Sequence, residues 1–153
     1  METINKELLG QMIQSGHIVF QKHPSAQLYI YNYTPLAQYE RVWNGVTLQC
    51  RGLILNEKQE VVARPFRKFF NLGECDNRLL PGEPFEVYEK LDGSLGILYW
   101  LNDQPYIATR GSFTSEQALQ ANRILMEKYS FTLPSLEKSK TYLFEIFTPK
   151  IEL

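Results

Sequence analysis

Two apolar runs separated by a polar turn stand near the middle of this chain, in residues 95–110, LGILYWLNDQPYIATR. The runs Leu95–Leu101 and Tyr106–Arg110 are rich in aromatic and branched side chains, and Asn102–Pro105 between them is typical of a turn. The pattern predicts a β-hairpin. Because a hairpin joins antiparallel strands, this segment favours a sheet built from antiparallel pairs.

A second hairpin is predicted upstream, between Val46–Leu55 and Glu60–Arg64, across the polar residues Asn56–Gln59. Gly52 interrupts the first of these runs, which indicates either a bulge or a close approach by another group. Other runs with strand-like composition predict further strands at His17–Phe20, Leu28–Tyr33, Phe85–Leu91 and Thr141–Phe147.

Two amphipathic helices are predicted beside these strands. Ile4–Gln14 carries apolar residues at helical spacing, with Thr3 as its expected N-cap and Gly16 as its stop. A second helix is expected to start at Thr114, where Gln117 follows at the spacing of a capping box. Its apolar face would contain Ala118, Ala121 and Leu125.

Strands outnumber helices and come mostly as hairpins, so the predicted fold class is α+β, with largely antiparallel sheets and helices packed on them. A length of 153 residues with 44% hydrophobic content predicts a single domain over residues 1–153. The net charge of -1 excludes a global positive field, so any basic surface must be local. Because the chain lacks a signal-peptide pattern and a long apolar run, we expect a cytoplasmic protein without membrane contact.

The segment Lys90–Gly93, with the sequence Lys-Leu-Asp-Gly, is the part of the chain best suited to covalent chemistry. A lysine becomes a nucleophile when it is neutral, which apolar surroundings and nearby cations favour. We expect the apolar side chains within residues 85–88 to supply such surroundings. Asp92 would share a strand face with Lys90, and glycine would let a ligand approach closely. By itself the tetrapeptide also fits a solvated strand end followed by an ordinary turn.

The sequence around Lys90 resembles the covalent nucleotidyltransferase superfamily of ATP-dependent ligases and mRNA capping enzymes. It looks closest to the ATP-dependent RNA ligases of the T-even phage type. The segments that carry the resemblance occur in the family's order and are Cys50–Ile54 with its Arg-Gly pair, Pro65–Asn71, Lys90–Leu95, Thr109–Ser112 and Leu143–Phe147.

The resemblance implies that Lys90 attacks the α-phosphate of ATP and forms a lysyl-adenylate with loss of pyrophosphate. ATP and Mg²⁺ are therefore the expected cofactors, and RNA with 5′-phosphate and 3′-hydroxyl ends is the expected partner. The family uses a lysine where this chain has Arg110. The residues expected to bind the nucleotide are Arg51, Lys68, Asp92, Gly93, Arg110 and Glu145.

Two elements that the resemblance implies after Glu145 are not found in the sequence, and this leaves other functions open. No segment after Glu145 matches the later metal-binding carboxylate or the lysine pair that the resemblance implies. We therefore expect the N-terminal portion of an adenylyltransferase domain, whether as a fragment, an engineered piece or a degenerate gene product. The metal ligands are not identified. The alternatives are a non-catalytic module that binds nucleotides or RNA ends, and a GTP-using transferase of the capping type.

Overall fold

Two antiparallel sheets form the framework of the computed structural model, which describes residues 4–74 and 82–147. The first sheet has the strand order β1-β2-β3-β4, and the second has the order β6-β5-β7. Every strand pair is antiparallel, so the predicted mixture of helices and antiparallel sheets is confirmed. The strands are β1 Ile18–Lys22, β2 Leu28–Tyr33, β3 Arg51–Asn56, β4 Val61–Ala63, β5 Ser94–Leu101, β6 Gln104–Thr109 and β7 Leu143–Ile146.

The helices are α1 Lys6–Gln14, α2 Pro35–Tyr39, α3 Glu116–Lys128 and a 3₁₀ helix, Ser130–Ser135. The N-cap of α1 is Asn5, and the predicted cap, Thr3, lies outside the described residues. The prediction that α3 starts with Thr114 as its cap is wrong by one residue, because the side chain of Ser115 accepts the hydrogen bond from Ala118 N. No helix in the described part of the chain is long and apolar enough to cross a membrane.

The two sheets and two of the helices stack in four layers, because alternate strand residues point to opposite faces. Between the sheets, buried side chains from both form one cluster, which includes Ile30, Ile54, Ile97 and Tyr99. The other face of the first sheet packs on α1 through Leu9, Leu53 and Leu55. The other face of the second sheet packs on α3 through Leu98, Ile107, Ala121 and Leu125.

The turn between β5 and β6 is shorter than predicted. Asn102 and Asp103 alone connect the strands, with φ angles of 50° and 64°. Asn and Asp adopt this left-handed region more readily than other non-glycine residues, so two residues suffice for a tight hairpin turn. Pro105, which we expected in the turn, pairs with Trp100 inside the ladder.

Gly52 lies in a β-bulge and is also closely approached by another group, the two alternatives that its position in the sequence predicted. Its φ angle is +86°, and the register between β2 and β3 shifts beside it, as in a β-bulge. A Cβ atom at this residue would collide with the side chain of Ile97 and lie 3.5 Å from Arg110 Cα. Gly52 therefore lets the second sheet approach the first next to Arg51.

Two predicted strand segments are not strands. Phe85–Leu91 forms no strand within the described residues 82–147, and its apolar side chains at 85, 87 and 88 are 77–87% exposed. The start of the run Val46–Leu55 is a turn, because the side chain of Asn44 accepts hydrogen bonds from Val46 N at 2.9 Å and Thr47 N at 3.0 Å. The predicted strand Thr141–Phe147 is shortened to β7.

Candidate active site

A cleft of about 600 Å³ opens where the end of β7, the start of β5 and the start of β3 meet. Residues from both sheets line this cleft, together with the loop after β4 and the turn after β6. Six of the seven predicted site residues are among those that line it, namely Arg51, Lys90, Asp92, Gly93, Arg110 and Glu145. Segments separated by almost 100 residues in sequence are thus brought to one place by the fold.

Lys90 lies on the open rim of this cleft. Its side chain is 86% exposed, and its Nζ is 3.7 Å from Oδ1 of Asp92, which is 99% exposed. The expectation that Phe85, Val87 and Tyr88 shelter the amine is wrong, because these side chains point into solvent. Within residues 4–74 and 82–147 no strand pairs with the segment before Lys90, so these side chains have no sheet face there on which to be buried.

Gly93 holds the segment that carries Lys90 against β7. A Cβ atom at this position would lie 2.6 Å from the carbonyl oxygen of Ile146 and 3.2 Å from Cγ of Glu145. Both distances are shorter than the usual separation of non-bonded atoms, so the backbone approaches β7 in a way that only glycine permits. This contact places Gly93, which follows Asp92 in the chain, beside Glu145.

Arg110 is fixed by residues of the other sheet. Its Nε donates a hydrogen bond to Oδ1 of Asn32 at 3.2 Å, and Nδ2 of Asn32 donates to the Arg110 carbonyl oxygen at 2.7 Å. The guanidinium carbon lies 4.7 Å from the ring centroid of Tyr33. The tight turn from Thr109 to Ser112 fixes the backbone at this residue.

Arg51 adds a second guanidinium, 5.1 Å from the ring centroid of Phe69. Within residues 4–74 and 82–147 it has no carboxylate partner. Among the described residues that line the cleft, the cations are Arg51, Lys90 and Arg110 and the carboxylates are Asp92 and Glu145, so this lining is locally positive although the chain has a net charge of -1. Such a concave positive surface attracts anions.

Lys68, the seventh predicted site residue, is not among the residues that line the cleft. Its Nζ lies 4.6 Å from the ring centroid of Phe70 and 5.8 Å from that of Trp43, and it donates to the Phe69 carbonyl oxygen at 3.0 Å. The Trp43 ring in turn meets the Tyr33 ring edge-on, with the centroids 5.2 Å apart. A row of cations and aromatic rings therefore links Lys68 to Arg110.

Sequence reasoning missed Asn32, Tyr33 and Trp43. Asn32 carried one usable signal, since it is a polar residue inside an otherwise apolar and aromatic strand. The signal did not name a partner, because Asn32 and Arg110 are 78 residues apart.

The carboxylates of the cleft are few. No group of three or more His, Cys, Asp or Glu side chains that would hold a metal occurs in the described ranges. Asp92 and Glu145 nevertheless line the same cleft. Proteins usually bind Mg²⁺ through one or two carboxylates together with phosphate oxygens of the substrate, and this donor set fits that mode of binding.

The segments that form the cleft are also those that a family model recognises. The model described as RNA ligase matches residues 49–152. This chain belongs to the RNA ligase family. The matched range begins beside β3 and includes every residue that lines the cleft, and it confirms the resemblance to RNA ligases of the T-even phage type, which are enzymes.

Two curated relatives are 32% identical to this member of the family. One, from Autographa californica nuclear polyhedrosis virus, is named as a bifunctional polynucleotide kinase/RNA ligase; the match covers 66% of this chain and 18% of that protein. The other, from Thermovibrio ammonificans, is named as an RNA ligase; the match covers 69% of this chain and 30% of that protein. The matched stretch thus spans less than a third of either relative.

Proposed function

We propose that Lys90 accepts an adenylyl group from ATP, as the first step in joining RNA 5′-phosphate and 3′-hydroxyl ends. The observation that carries the proposal is the cleft, which gathers Lys90 with two guanidinium groups and two carboxylates. Membership of the RNA ligase family supports the same reaction class. On this proposal the chain is the nucleotide-binding portion of an adenylyltransferase domain.

The proposed step exchanges one bond to the α-phosphorus for another. Lys90 Nζ loses a proton and forms a P–N bond, while the bond from the α-phosphorus to the bridging oxygen breaks. Pyrophosphate leaves with the electron pair of that bond, and the nitrogen then releases its second proton to solvent. Arg51 and Arg110 face the same cleft, where their fixed donors suit the negative charge that grows on the departing phosphates.

Asp92 and Glu145 are the residues that would hold Mg²⁺ together with the phosphate oxygens, and the bound ion would offset phosphate charge. In the same proposal, Glu145 is also available to the ribose hydroxyls. Gly93 and Asp92, which line the same cleft just before β5, would contact the nucleotide there.

A second candidate function is favoured by the exposure of Lys90. Its 86% exposed amine lies in solvent, and the described residues give it no apolar shelter. Apolar shelter, one of the two surroundings that favour a nucleophilic lysine, is thus absent around Lys90 among the described residues. This observation supports a non-catalytic module that binds nucleotides or RNA ends through the same cleft.

The test is incubation with α-labelled ATP and Mg²⁺, followed by denaturation and measurement of the label retained by the protein. We expect label on the wild type and on Lys58→Ala, a matched exposed lysine in the β3–β4 turn, and none on Lys90→Ala. Label that persists on Lys90→Ala would contradict the proposal. Saturable ATP binding without label would select the non-catalytic module, and preferential labelling by GTP would select a transferase of the capping type.

A further inference from the structure

We propose that Asn32 is a positioning residue, which orients the Arg110 guanidinium toward the polyphosphate of a bound nucleotide. The inference rests on the proposed function, since it gives Asn32 a role in nucleotide binding through Arg110, which lines the same cleft. Asn32 itself belongs to β2 of the first sheet, whereas Arg110 follows β6 of the second. The contact therefore joins the two sheets at the cleft.

The two residues exchange a pair of hydrogen bonds. Arg110 Nε donates to Oδ1 of Asn32 at 3.2 Å, and Nδ2 of Asn32 donates to the Arg110 carbonyl oxygen at 2.7 Å. Both ends of the asparagine amide are thus used on a single residue. The first bond restrains the side chain of Arg110 and the second restrains its backbone, so one asparagine limits both.

The remaining donors of Arg110 are left for a ligand. One face of its guanidinium stacks on Tyr33, and its Nε is already bonded to Asn32. The two Nη groups have no hydrogen-bond or ion-pair partner within residues 4–74 and 82–147. Two parallel N–H donors at the edge of a fixed planar group match two oxygens of a phosphate.

This arrangement requires arginine at position 110. A lysine would keep the positive charge but has no Nε–H for Asn32 to hold and no planar face to lie on Tyr33. Arg110 and Asn32 are therefore expected to act as a pair. The consequence is a specific one: Asn32 matters for binding only while residue 110 is an arginine and the ligand carries phosphates.

The experiment measures the dissociation constants of ATP and of adenosine by equilibrium dialysis for the wild type, Asn32→Ala, Arg110→Lys and the double variant. We expect Asn32→Ala to weaken ATP binding about tenfold, the usual size of a lost hydrogen bond to a charged group, and to change adenosine binding less than about twofold. In the Arg110→Lys background the loss for ATP is expected to shrink below about threefold. Gln27→Ala, an exposed amide just before β2, is the matched control.

A merely structural role for Asn32 gives a different result. Equal losses for ATP and adenosine, or the same tenfold loss in both backgrounds, would overturn the proposal. If circular dichroism shows that Asn32→Ala does not fold, Asn32→Asp is used instead, because aspartate has nearly the same size as asparagine. Its carboxylate would pair with the Arg110 guanidinium and compete with phosphate, so ATP binding should fall at least about tenfold while adenosine binding stays. Unchanged ATP binding would again overturn the proposal.

The binding experiment on Asn32 and the labelling experiment on Lys90 can fail independently of each other. A wild type that binds ATP but retains no label would refute the lysyl-adenylate and leave the test of Asn32 intact. A wild type that retains label, with no effect of Asn32→Ala on the affinity for ATP, would refute only the role of Asn32. A wild type that does not bind ATP would refute both.

Discussion

Gly93 lies where the segment carrying Lys90 meets β7, and a Cβ atom there would stand 2.6 Å from the Ile146 carbonyl oxygen. Because the obstructing atom belongs to the backbone of a strand, it cannot move aside as a flexible side chain would. Any larger residue must push β7 away from the start of β5, where Ser94 pairs with Ile146. The position of Lys90 and the stability of the second sheet thus depend on the same atom-scale contact.

We predict that Gly93→Ala lowers the free energy of unfolding by about 1–3 kcal/mol, the usual cost of forcing extra volume into a packed site. Gly111→Ala is the control, because a Cβ atom there meets nothing within 4 Å, and its effect should stay within about 0.5 kcal/mol. Urea denaturation followed by circular dichroism measures both. Equal effects of the two substitutions would show that the contact with Ile146 yields without strain.

Most of the charged residues that line the cleft were predictable from the sequence, because the charge of a side chain follows from the residue type. One lysine, two guanidinium groups and two carboxylates stood in recognisable segments, and the fold brings them to one cleft. The surroundings of Lys90 were not predictable from residue types alone. Whether Phe85 or Val87 shelters the amine depends on what packs against them, which local sequence does not state.

At the scale of elements, α3 shows how a side chain decides where a helix begins. Ser115 accepts a hydrogen bond from Ala118 N at 3.2 Å, and its hydroxyl also lies 2.9 Å from that of Thr109. The same serine therefore caps α3 and ties the helix to the end of β6. Thr114 and Gln117 have capping-box spacing, but adjacent Ser and Thr residues compete for the cap, and tertiary contact with Thr109 favours Ser115.

We predict that Ser115→Ala lowers the free energy of unfolding by about 1 kcal/mol, because the partly buried start of α3 loses its cap. The substitution Thr114→Ala should change it by less than about 0.5 kcal/mol. Thermal unfolding of the two variants beside the wild type separates these outcomes. A larger loss for Thr114→Ala would restore Thr114 as the effective cap.

The hairpins were predictable as elements, whereas the segment Phe85–Leu91 was not. Both Leu95–Leu101 and Phe85–Leu91 have the apolar content expected of strands. The difference is that β5 has neighbours on both sides, β6 and β7, while the described residues offer no pairing partner to the other segment. Strand formation depends on a second stretch of chain, so composition within one window is not sufficient.

At the scale of the whole molecule, His23 links the two sheets. It follows β1 of the first sheet, while its Nε2 lies 3.1 Å from the hydroxyl of Tyr99 in the second. Its ring also meets the ring of Phe113 edge-on, with the centroids 4.9 Å apart. Burial among these rings disfavours the charged imidazolium and lowers the pKa of His23 below its ordinary value of 6.5.

The lowered pKa of His23 predicts how stability changes with pH. Near and below pH 6.5 the unfolded chain binds a proton at this residue more readily than the folded one, so stability is full above that pH and is lost as the pH falls. Urea denaturation at pH 7.5 and 5.5 measures the loss. We expect His23→Gln to show a smaller loss than the wild type. The same loss of stability in both proteins would show that His23 does not contribute to the pH dependence of the free energy of unfolding.

The row of cations and rings beside the cleft includes a tryptophan whose fluorescence can report ligand binding. Trp43 is one of two tryptophans, and it lies 5.8 Å from the Lys68 amine and beside Tyr33, on which Arg110 stacks. Indole emission responds to the electric field of nearby charges. A polyanion that enters the cleft changes that field, so Trp43 is a natural optical probe of occupancy. Trp100, which packs in the cluster below α3, supplies a steady background.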